Sequence, residues 1–134
     1  MIAYDTNVLI YFLESNAEFQ QRAERIIRDP RGALLSVLIT QEVLTGYACF
    51  GDTITLQRAA YFLENLPRTT YVSVTATIID KAVELTLQYG RKLRGYDAIH
   101  LATALENGVE AFYTNDQELL ALGRVGKLEL RDLG

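Results

Sequence analysis

The chain has 134 residues, of which 49% are hydrophobic and 22% are charged, and its net charge is -4. This length suits one domain covering residues 1–134, and the composition argues against a disordered chain. Cys49 is the only cysteine, which excludes an internal disulfide and is typical of a protein from a reducing compartment.

The apolar N-terminal segment from Ile2 to Leu13 is interrupted by Asp5 and Asn7 and follows no basic residue. It therefore predicts neither a signal peptide nor a membrane span, and we expect a cytoplasmic protein without membrane association. The negative net charge weighs mildly against nucleic-acid binding, because proteins that contact phosphates usually present a basic face. That objection weakens if several acids surround a bound cation.

The sequence alternates between short apolar runs, which predict buried strands, and longer segments with apolar residues at helical spacing. In chain order the pattern predicts strand 2–4, helices 8–13 and 18–29, strand 33–36, helices 38–50 and 53–66, strand 71–74, helix 77–93, a helix from 97 that ends at Gly108, strand 109–113, helix 116–122 and strand 127–130. Short apolar strands separated by helices predict a three-layer α/β/α sandwich with a central parallel sheet.

Four acidic residues fall at comparable places on this map, each at a helix start or just beyond the end of a strand. They are Asp5, Glu42, Asp97 and Asp116. In a parallel sheet the carboxyl ends of the strands share one edge, where ligands bind. We therefore expect these four side chains, which are distant in sequence, to converge on one site.

Converged carboxylates repel each other and take up protons unless a cation offsets their charge. Magnesium prefers oxygen ligands and manganese accepts the same kind. Such a cation activates water and offsets charge on a phosphate during in-line displacement. The pattern thus favours a divalent-metal site that could act on a phosphate group.

Each acid also has a purely structural interpretation. Asp5, Asp97 and Asp116 all suit the start of a helix, where carboxylates cap free amides and favour the helix dipole. Glu42 suits a solvated helix surface. The joint placement of the four at one sheet edge carries more information than any one of them.

Four sequence segments resemble the acidic motifs of the PIN-domain family, and they occur in the family's order. They are residues 4–10 (YDTNVLI), 41–44 (QEVL), 97–105 (DAIHLATAL) and 113–116 (YTND). The resemblance covers the chain from Asp5 to Asp116. This small single-domain form looks most like the VapC-type toxins of type II toxin–antitoxin pairs in prokaryotes.

The resemblance implies an endoribonuclease that depends on Mg²⁺ or Mn²⁺, with Asp5, Glu42, Asp97 and Asp116 as the acidic catalytic site. The metal ligands that we expect are Asp5, Asp97 and Asp116; Asp5 and Asp97 are the principal ones, and Asp116 and Glu42 complete the site directly or through metal-bound water. The resemblance further implies that the hydroxyls of Thr6 and Thr114 help to position water, substrate or carboxylates.

The resemblance also carries expectations about partners. A toxin of this kind is blocked by a cognate antitoxin protein, and homodimers are common in the family. Single-stranded or loop RNA is the expected substrate, with tRNA or rRNA as the target if the protein is a toxin. The chain departs from the family's motifs at two places. Tyr4 stands where an aliphatic residue is commoner, and the residues just before Asp97, Arg94-Gly95-Tyr96, lie in a segment that varies within the family.

Two further features lie beside the acidic motifs. Arg91, Lys92 and Arg94 form the densest basic run, which predicts contact with an RNA backbone, Arg94 first, although a solvated helix end has the same composition. His100, the only histidine, lies three positions after Asp97 and shares its helix face. A contact with substrate and a structural role are both open for it.

Other functions fit the sequence less well. A haloacid-dehalogenase-like phosphatase needs a second Asp where this chain has Asn7, and a receiver domain needs a Lys that the segment 114–116 lacks. A non-catalytic PIN-like scaffold would have lost acids, whereas all four are present. A PIN nuclease that processes RNA outside a toxin–antitoxin pair remains the alternative to a toxin.

Overall fold

The computed structural model describes all residues, 1–134, and its centre is a mostly parallel β-sheet. Six short strands are present: β1 (Ala3–Tyr4), β2 (Ala33–Ser36), β3 (Thr69–Val72), β4 (Ala111–Tyr113), β5 (Arg124–Val125) and β6 (Leu128–Arg131). One group of strands has the order β1-β4-β6-β5, and β2 pairs with β3. All pairings are parallel except that of β5 with β6.

The two strand groups meet at the N-terminus of the chain. Ile2 forms a parallel bridge with Ala33, and the amide of Leu34 donates to the carbonyl of Ile2 at 2.9 Å. The sheet therefore continues across β1 in the order β3-β2-β1-β4-β6-β5. This order puts β1 and β4 side by side at its centre, with Tyr4 opposite Tyr113.

Helices cover both faces of the sheet. They are α1 (Thr6–Leu13), α2 (Gln20–Ile27), α3 (Leu38–Cys49), α4 (Thr53–Glu64), α5 (Ala76–Tyr89), α6 (Gly95–Glu106) and α7 (Gln117–Leu122). A 3-10 turn, Gly90–Lys92, separates α5 from α6. None of these helices combines the length and the apolar character needed to cross a membrane.

Two separate apolar cores follow from the alternation of side chains along each strand. Ile2 and Tyr4 of the first strand segment pack with α1 to α4, whereas Ala3, between them, packs with α5, α6 and α7. In the same way, Leu34 packs in the core with α5, α6 and α7, and its neighbour Leu35 packs in the core with α1 to α4. Helices on both faces explain why these strands are continuously apolar, and they confirm the predicted three-layer α/β/α architecture.

The structure corrects three predicted elements. The helix predicted over 77–93 ends at Tyr89, because Gly90 has φ 69° and ψ -150°, which a helix cannot continue. The third strand lies at Thr69–Val72, two residues before the predicted range of 71–74. The sheet is also not wholly parallel, since β5 forms an antiparallel hairpin with β6 that the sequence analysis did not predict.

The missed hairpin has a local sequence signal. Only Gly126 and Lys127 separate the paired residues Val125 and Leu128, and Gly126 has φ 58°. A two-residue hairpin turn requires positive φ values, which glycine adopts without steric cost. The glycines at 123 and 126, on either side of β5, were therefore the feature of the sequence from which the hairpin could have been predicted.

Candidate metal-binding and catalytic site

The candidate site lies where β1 and β4 end side by side. Asp5 follows β1 directly, and its amide donates to the carbonyl of Tyr113 at 2.9 Å. Thr114 follows β4, is fully buried, and donates its hydroxyl to Oδ2 of Asp5 at 2.9 Å. The parallel pairing of two central strands thus places the first and last acidic motifs together.

Asp5 and Asp116 also cap the helices that follow them. Oδ1 of Asp5 accepts the amide of Thr6 at 2.8 Å, and Oδ1 of Asp116 accepts the amide of Glu118 at 2.8 Å. The amide of Asp116 donates to the Thr114 hydroxyl at 3.0 Å. The structural interpretation as helix caps is therefore correct for both acids, and it fixes the orientation of each carboxylate.

Asp97 differs from those two because it lies inside the first turn of α6 and caps nothing; the N-cap residue is Arg94. The pKa of Asp97 is raised to about 6, chiefly by burial and then by the neighbouring carboxylates of Asp5 and Asp116, with a smaller contribution from Glu42. No hydrogen bond stabilises its charged form. A half-buried carboxyl among like charges, without a protein partner, is typical of functional sites.

The pKa of Asp5 is also raised, chiefly by burial, although the hydrogen bonds from Thr114 and Thr6 oppose that rise. Glu42 adds to the repulsion and His100 reduces it. The electrostatic coupling of Asp5 and Asp97 to the same neighbours indicates that the structure brings the four predicted acids to one place.

Glu42 reaches the site from α3 and contacts the single histidine. Its Oε1 accepts a hydrogen bond from Nε2 of His100 on α6. The imidazole is buried, with 3% of the side chain exposed, and 23% of the Glu42 side chain is exposed. Helical spacing placed His100 beside Asp97, but the contact with Glu42 was not predicted; its only signal in the sequence was a lone histidine in an acidic motif.

Thr6 and Arg94, two of the predicted positioning residues, have different environments. The Thr6 side chain is buried, and its hydroxyl oxygen has no hydrogen-bond partner. Arg94 is exposed at the start of α6, beside an apolar groove between α5 and α6. Thr6 is thus buried next to Asp5, whereas Arg94 is accessible to solvent at the start of the helix that carries Asp97.

The oxygen donors of the site suit a hard divalent cation. Asp97 and Oε2 of Glu42 carry carboxylate oxygens without protein partners, and the buried Thr6 hydroxyl lacks one too. Mg²⁺ and Mn²⁺ prefer such oxygen ligands, and Mg²⁺ usually takes only one or two carboxylates and keeps several waters. No three His, Cys, Asp or Glu side chains are arranged as a ready metal-binding group, and the ligand set remains a prediction.

The comparisons with known proteins agree with this architecture. The family model described as "PIN domain" matches residues 2–125, and the chain therefore belongs to the PIN-domain family. No curated protein sequence matches the chain.

Solved structures with the same fold include toxins of toxin–antitoxin systems. A toxin–antitoxin complex from Klebsiella pneumoniae is 23% identical, with a TM-score of 0.73 and coverage of 96% of this chain and 95% of that chain. VapC20, a sarcin–ricin loop cleaving toxin from Mycobacterium tuberculosis, is 19% identical, with a TM-score of 0.75 and coverage of 96% and 99%. VapBC2 from Rickettsia felis, bound to a promoter DNA fragment, is 18% identical, with a TM-score of 0.72 and coverage of 98% of both chains. At these identities the likeness shows the fold.

Proposed function

We propose that the protein is an endoribonuclease that depends on Mg²⁺ or Mn²⁺ and acts as the toxin of a toxin–antitoxin pair. The observation that carries the proposal is Asp97, a half-buried carboxyl with its pKa raised to about 6 among three other acids. The protein itself provides no counter-charge strong enough to remove this repulsion, and a divalent cation would do so.

The roles of the four acids follow from their surroundings. Asp5, Asp97 and Asp116 would hold the cation, with Asp5 and Asp116 oriented by their cap hydrogen bonds and Asp97 free of protein partners. When bound, the cation would supply Lewis-acid activation of water and charge stabilisation at the phosphate. Glu42 would complete the site, and Thr6 and Thr114 would position the carboxylates and the attacking water.

Substrate and partners extend the proposal. Arg94 is exposed at the start of α6, three residues before Asp97, and would contact the RNA backbone. The toxin–antitoxin complex from Klebsiella pneumoniae supports a cognate antitoxin as a partner, and the RNA-cleaving VapC20 supports RNA, in single-stranded or loop form, as the substrate. Both assignments rest on shared fold and on the acidic site rather than on fold alone.

A homodimer is the second expected assembly, and one surface suits it. Ile79, Val83 and Leu87 lie four residues apart on α5 and are 41%, 65% and 87% exposed. We call these three residues the α5 strip. In a two-fold pairing, the same patch meets itself; antiparallel contact centred on Val83 would bring Ile79 of each copy against Leu87 of the other.

The enzymatic proposal is tested with purified protein shown to be free of antitoxin. A mixed set of RNAs is incubated with Mn²⁺, with Mg²⁺ and with chelator, using wild type, Asp97→Asn and Glu106→Gln. Glu106 is an exposed acid at the far end of the same helix as Asp97, so its substitution is the matched control.

We expect metal-dependent cleavage by wild type and Glu106→Gln, and none by Asp97→Asn. Equal cleavage by all three proteins would identify a contaminating ribonuclease or a different site. Wild type that neither binds Mn²⁺ nor cuts any RNA would overturn the proposal in favour of a non-catalytic scaffold.

A further inference from the structure

The strongest unassigned feature of the site is the contact between Glu42 and His100. These residues are 58 positions apart and lie on α3 and α6, helices that pack in different cores on opposite faces of the sheet. A carboxylate only accepts hydrogen bonds, so Nε2 of the imidazole carries the hydrogen and donates it to Oε1.

The exposure of the two side chains separates their roles. His100 has 3% of its side chain exposed, which leaves no surface for an RNA to contact. Glu42 has 23% exposed, and only its Oε1 has a protein partner. The imidazole therefore acts on whatever binds at the site only through the carboxylate that it holds.

A second hydrogen bond joins the same two helices one residue earlier on α3. The hydroxyl of Tyr96 donates to Oε1 of Gln41 at 2.8 Å. Together the two contacts fix the turn of α3 that carries Glu42 against the start of α6, which carries Asp97. The relative position of these two acids is thus set by side chains rather than by strand pairing.

A Glu side chain has many rotamers, and ordering it when a ligand binds costs conformational entropy. A hydrogen bond from a buried group that packs rigidly removes that freedom during folding instead. Partners of this kind orient the groups that bind a metal and raise affinity without touching it.

We propose that His100 is a positioning residue, which holds Glu42 by Oε1 so that Oε2 faces the site beside Asp5 and Asp97. This inference rests on the proposed function, because Oε2 has a role only if the site binds a cation. Asp5 and Asp97 both respond electrostatically to Glu42 and to His100, which supports their proximity.

The opposite role makes a different prediction. If His100 held Glu42 away from the site, its removal would release the carboxylate and tighten Mn²⁺ binding. If His100 positions Glu42, its removal weakens Mn²⁺ binding. The sign of the change in affinity therefore separates the two roles.

The test measures Mn²⁺ affinity by calorimetry without RNA for four proteins: wild type, His100→Leu, His100→Gln and Thr103→Val. Leucine keeps the volume without a donor, and the glutamine amide restores a donor near the position of Nε2. Thr103 is buried on α6 one turn later, with its hydroxyl bonded to the Ile99 carbonyl. Its substitution controls for general damage to the helix.

We expect His100→Leu to bind Mn²⁺ about tenfold more weakly, within the range typical of such orienting partners. His100→Gln should recover most of the affinity, and Thr103→Val should match wild type. The double variant Glu42→Ala/His100→Leu should bind no more weakly than Glu42→Ala, because removing the orienting partner has no effect once its carboxylate is absent.

A measurement without metal keeps the inference testable even if His100→Leu fails to fold. His100 is the only histidine, so its imidazole resonances are assigned unambiguously by NMR. In chelator, Glu42→Ala should shift the ring nitrogen signals and expose Nε2–H to exchange, whereas Glu106→Ala should leave both unchanged.

Unchanged ring signals in Glu42→Ala, or wild-type or tighter Mn²⁺ binding by His100→Leu, would overturn the inference while leaving metal-dependent cleavage by wild type intact. Wild type that binds no Mn²⁺ and cuts no RNA would instead overturn the proposed function, and the contact would then be only structural.

Discussion

The hydroxyl of Thr114 donates a hydrogen bond of 2.9 Å to Oδ2 of Asp5, across 109 positions of sequence. The hydroxyl oxygen of Thr114 also accepts a hydrogen bond from the amide of Asp116 at 3.0 Å. Thr114 is fully buried, so water cannot replace either bond. One hydroxyl therefore sets the distance between two of the proposed metal ligands.

Replacing that hydroxyl tests its role directly. Thr114→Val keeps the shape of the side chain but leaves Oδ2 of Asp5 and the amide of Asp116 without their partner. We expect a loss of about 1–3 kcal/mol in the free energy of unfolding, the usual cost of an unsatisfied buried group, and weaker Mn²⁺ binding. Denaturant titration and calorimetry measure the two effects.

Thr114→Ser is the matched control, because it retains the hydroxyl and should keep most of both quantities. If Thr114→Val bound Mn²⁺ as tightly as wild type, the hydroxyl would have no part in arranging the carboxylates.

Asp97 gives a prediction about stability that needs no metal. Its pKa is about 6 in the folded protein, above the ordinary value of 3.8. Between these two values the unfolded chain binds fewer protons than the folded protein, so the contribution of Asp97 to stability falls as pH rises through this window. Above about pH 6, the charged carboxyl therefore destabilises the metal-free fold.

Asp97→Asn should remove this penalty. In chelator at pH 7.5 we expect the variant to be more stable than wild type by about 1 kcal/mol, a value discounted because solvent screens a half-exposed carboxyl. At pH 4 the difference should nearly vanish, since Asp97 is then protonated in the folded protein. Unfolding measured at both pH values checks the sign, and a variant less stable than wild type at pH 7.5 would contradict it.

Arg94 provides a test of substrate contact. It is exposed, so Arg94→Ala should leave the fold intact. We expect KM to rise several-fold with kcat nearly unchanged, because a contact to a phosphate of the RNA backbone stabilises the bound substrate and the transition state equally. The slope of the logarithm of the RNA-binding constant against the logarithm of the salt concentration should decrease in magnitude by about 1.

Arg25→Ala is the comparison, because Arg25 is also exposed but lies on α2, which packs on the other face of the sheet. An equal rise in KM for both variants would show that the effect comes from net charge rather than from the position of Arg94.

The α5 strip predicts the effect of charge on self-association. Leu87 is 87% exposed and Phe50 is 88% exposed, but only Leu87 belongs to the strip. Leu87→Glu should shift a dimer towards monomer by placing a charge against the apolar Ile79 of the other copy, whereas Phe50→Glu should not. Sedimentation equilibrium measures the association constant; a wild type that is monomeric at all concentrations would rule out the dimer.

Much of the site could be predicted from local sequence. The short apolar runs and helical spacings gave the order of the main elements, and each candidate acid lies at or just after a predicted boundary. Asp5 and Asp116 were ambiguous because capping and metal binding favour the same residue at the same place. The structure shows that Asp5 and Asp116 both cap helices, while Asp97 caps nothing and has its pKa raised to about 6.

The errors in the prediction have backbone causes. The helix predicted to 93 ends at Tyr89, because the positive φ of Gly90 breaks the helix although the apolar spacing continues to Leu93. The strand predicted at 127–130 corresponds to β6, but the hairpin was missed because β5 has only two residues, too few to show alternation.

The sequence by itself determined the α/β class, the family resemblance and the choice of four candidate acids, because these depend on residue type and local spacing. Tertiary structure alone decided which side chains meet: Thr114 with Asp5 through the pairing of β4 with β1, and His100 with Glu42 through helices on opposite faces of the sheet. Such contacts depend on strand order and register, which local patterns do not encode. The burial that raises the pKa of Asp97 likewise exists only once those layers have packed.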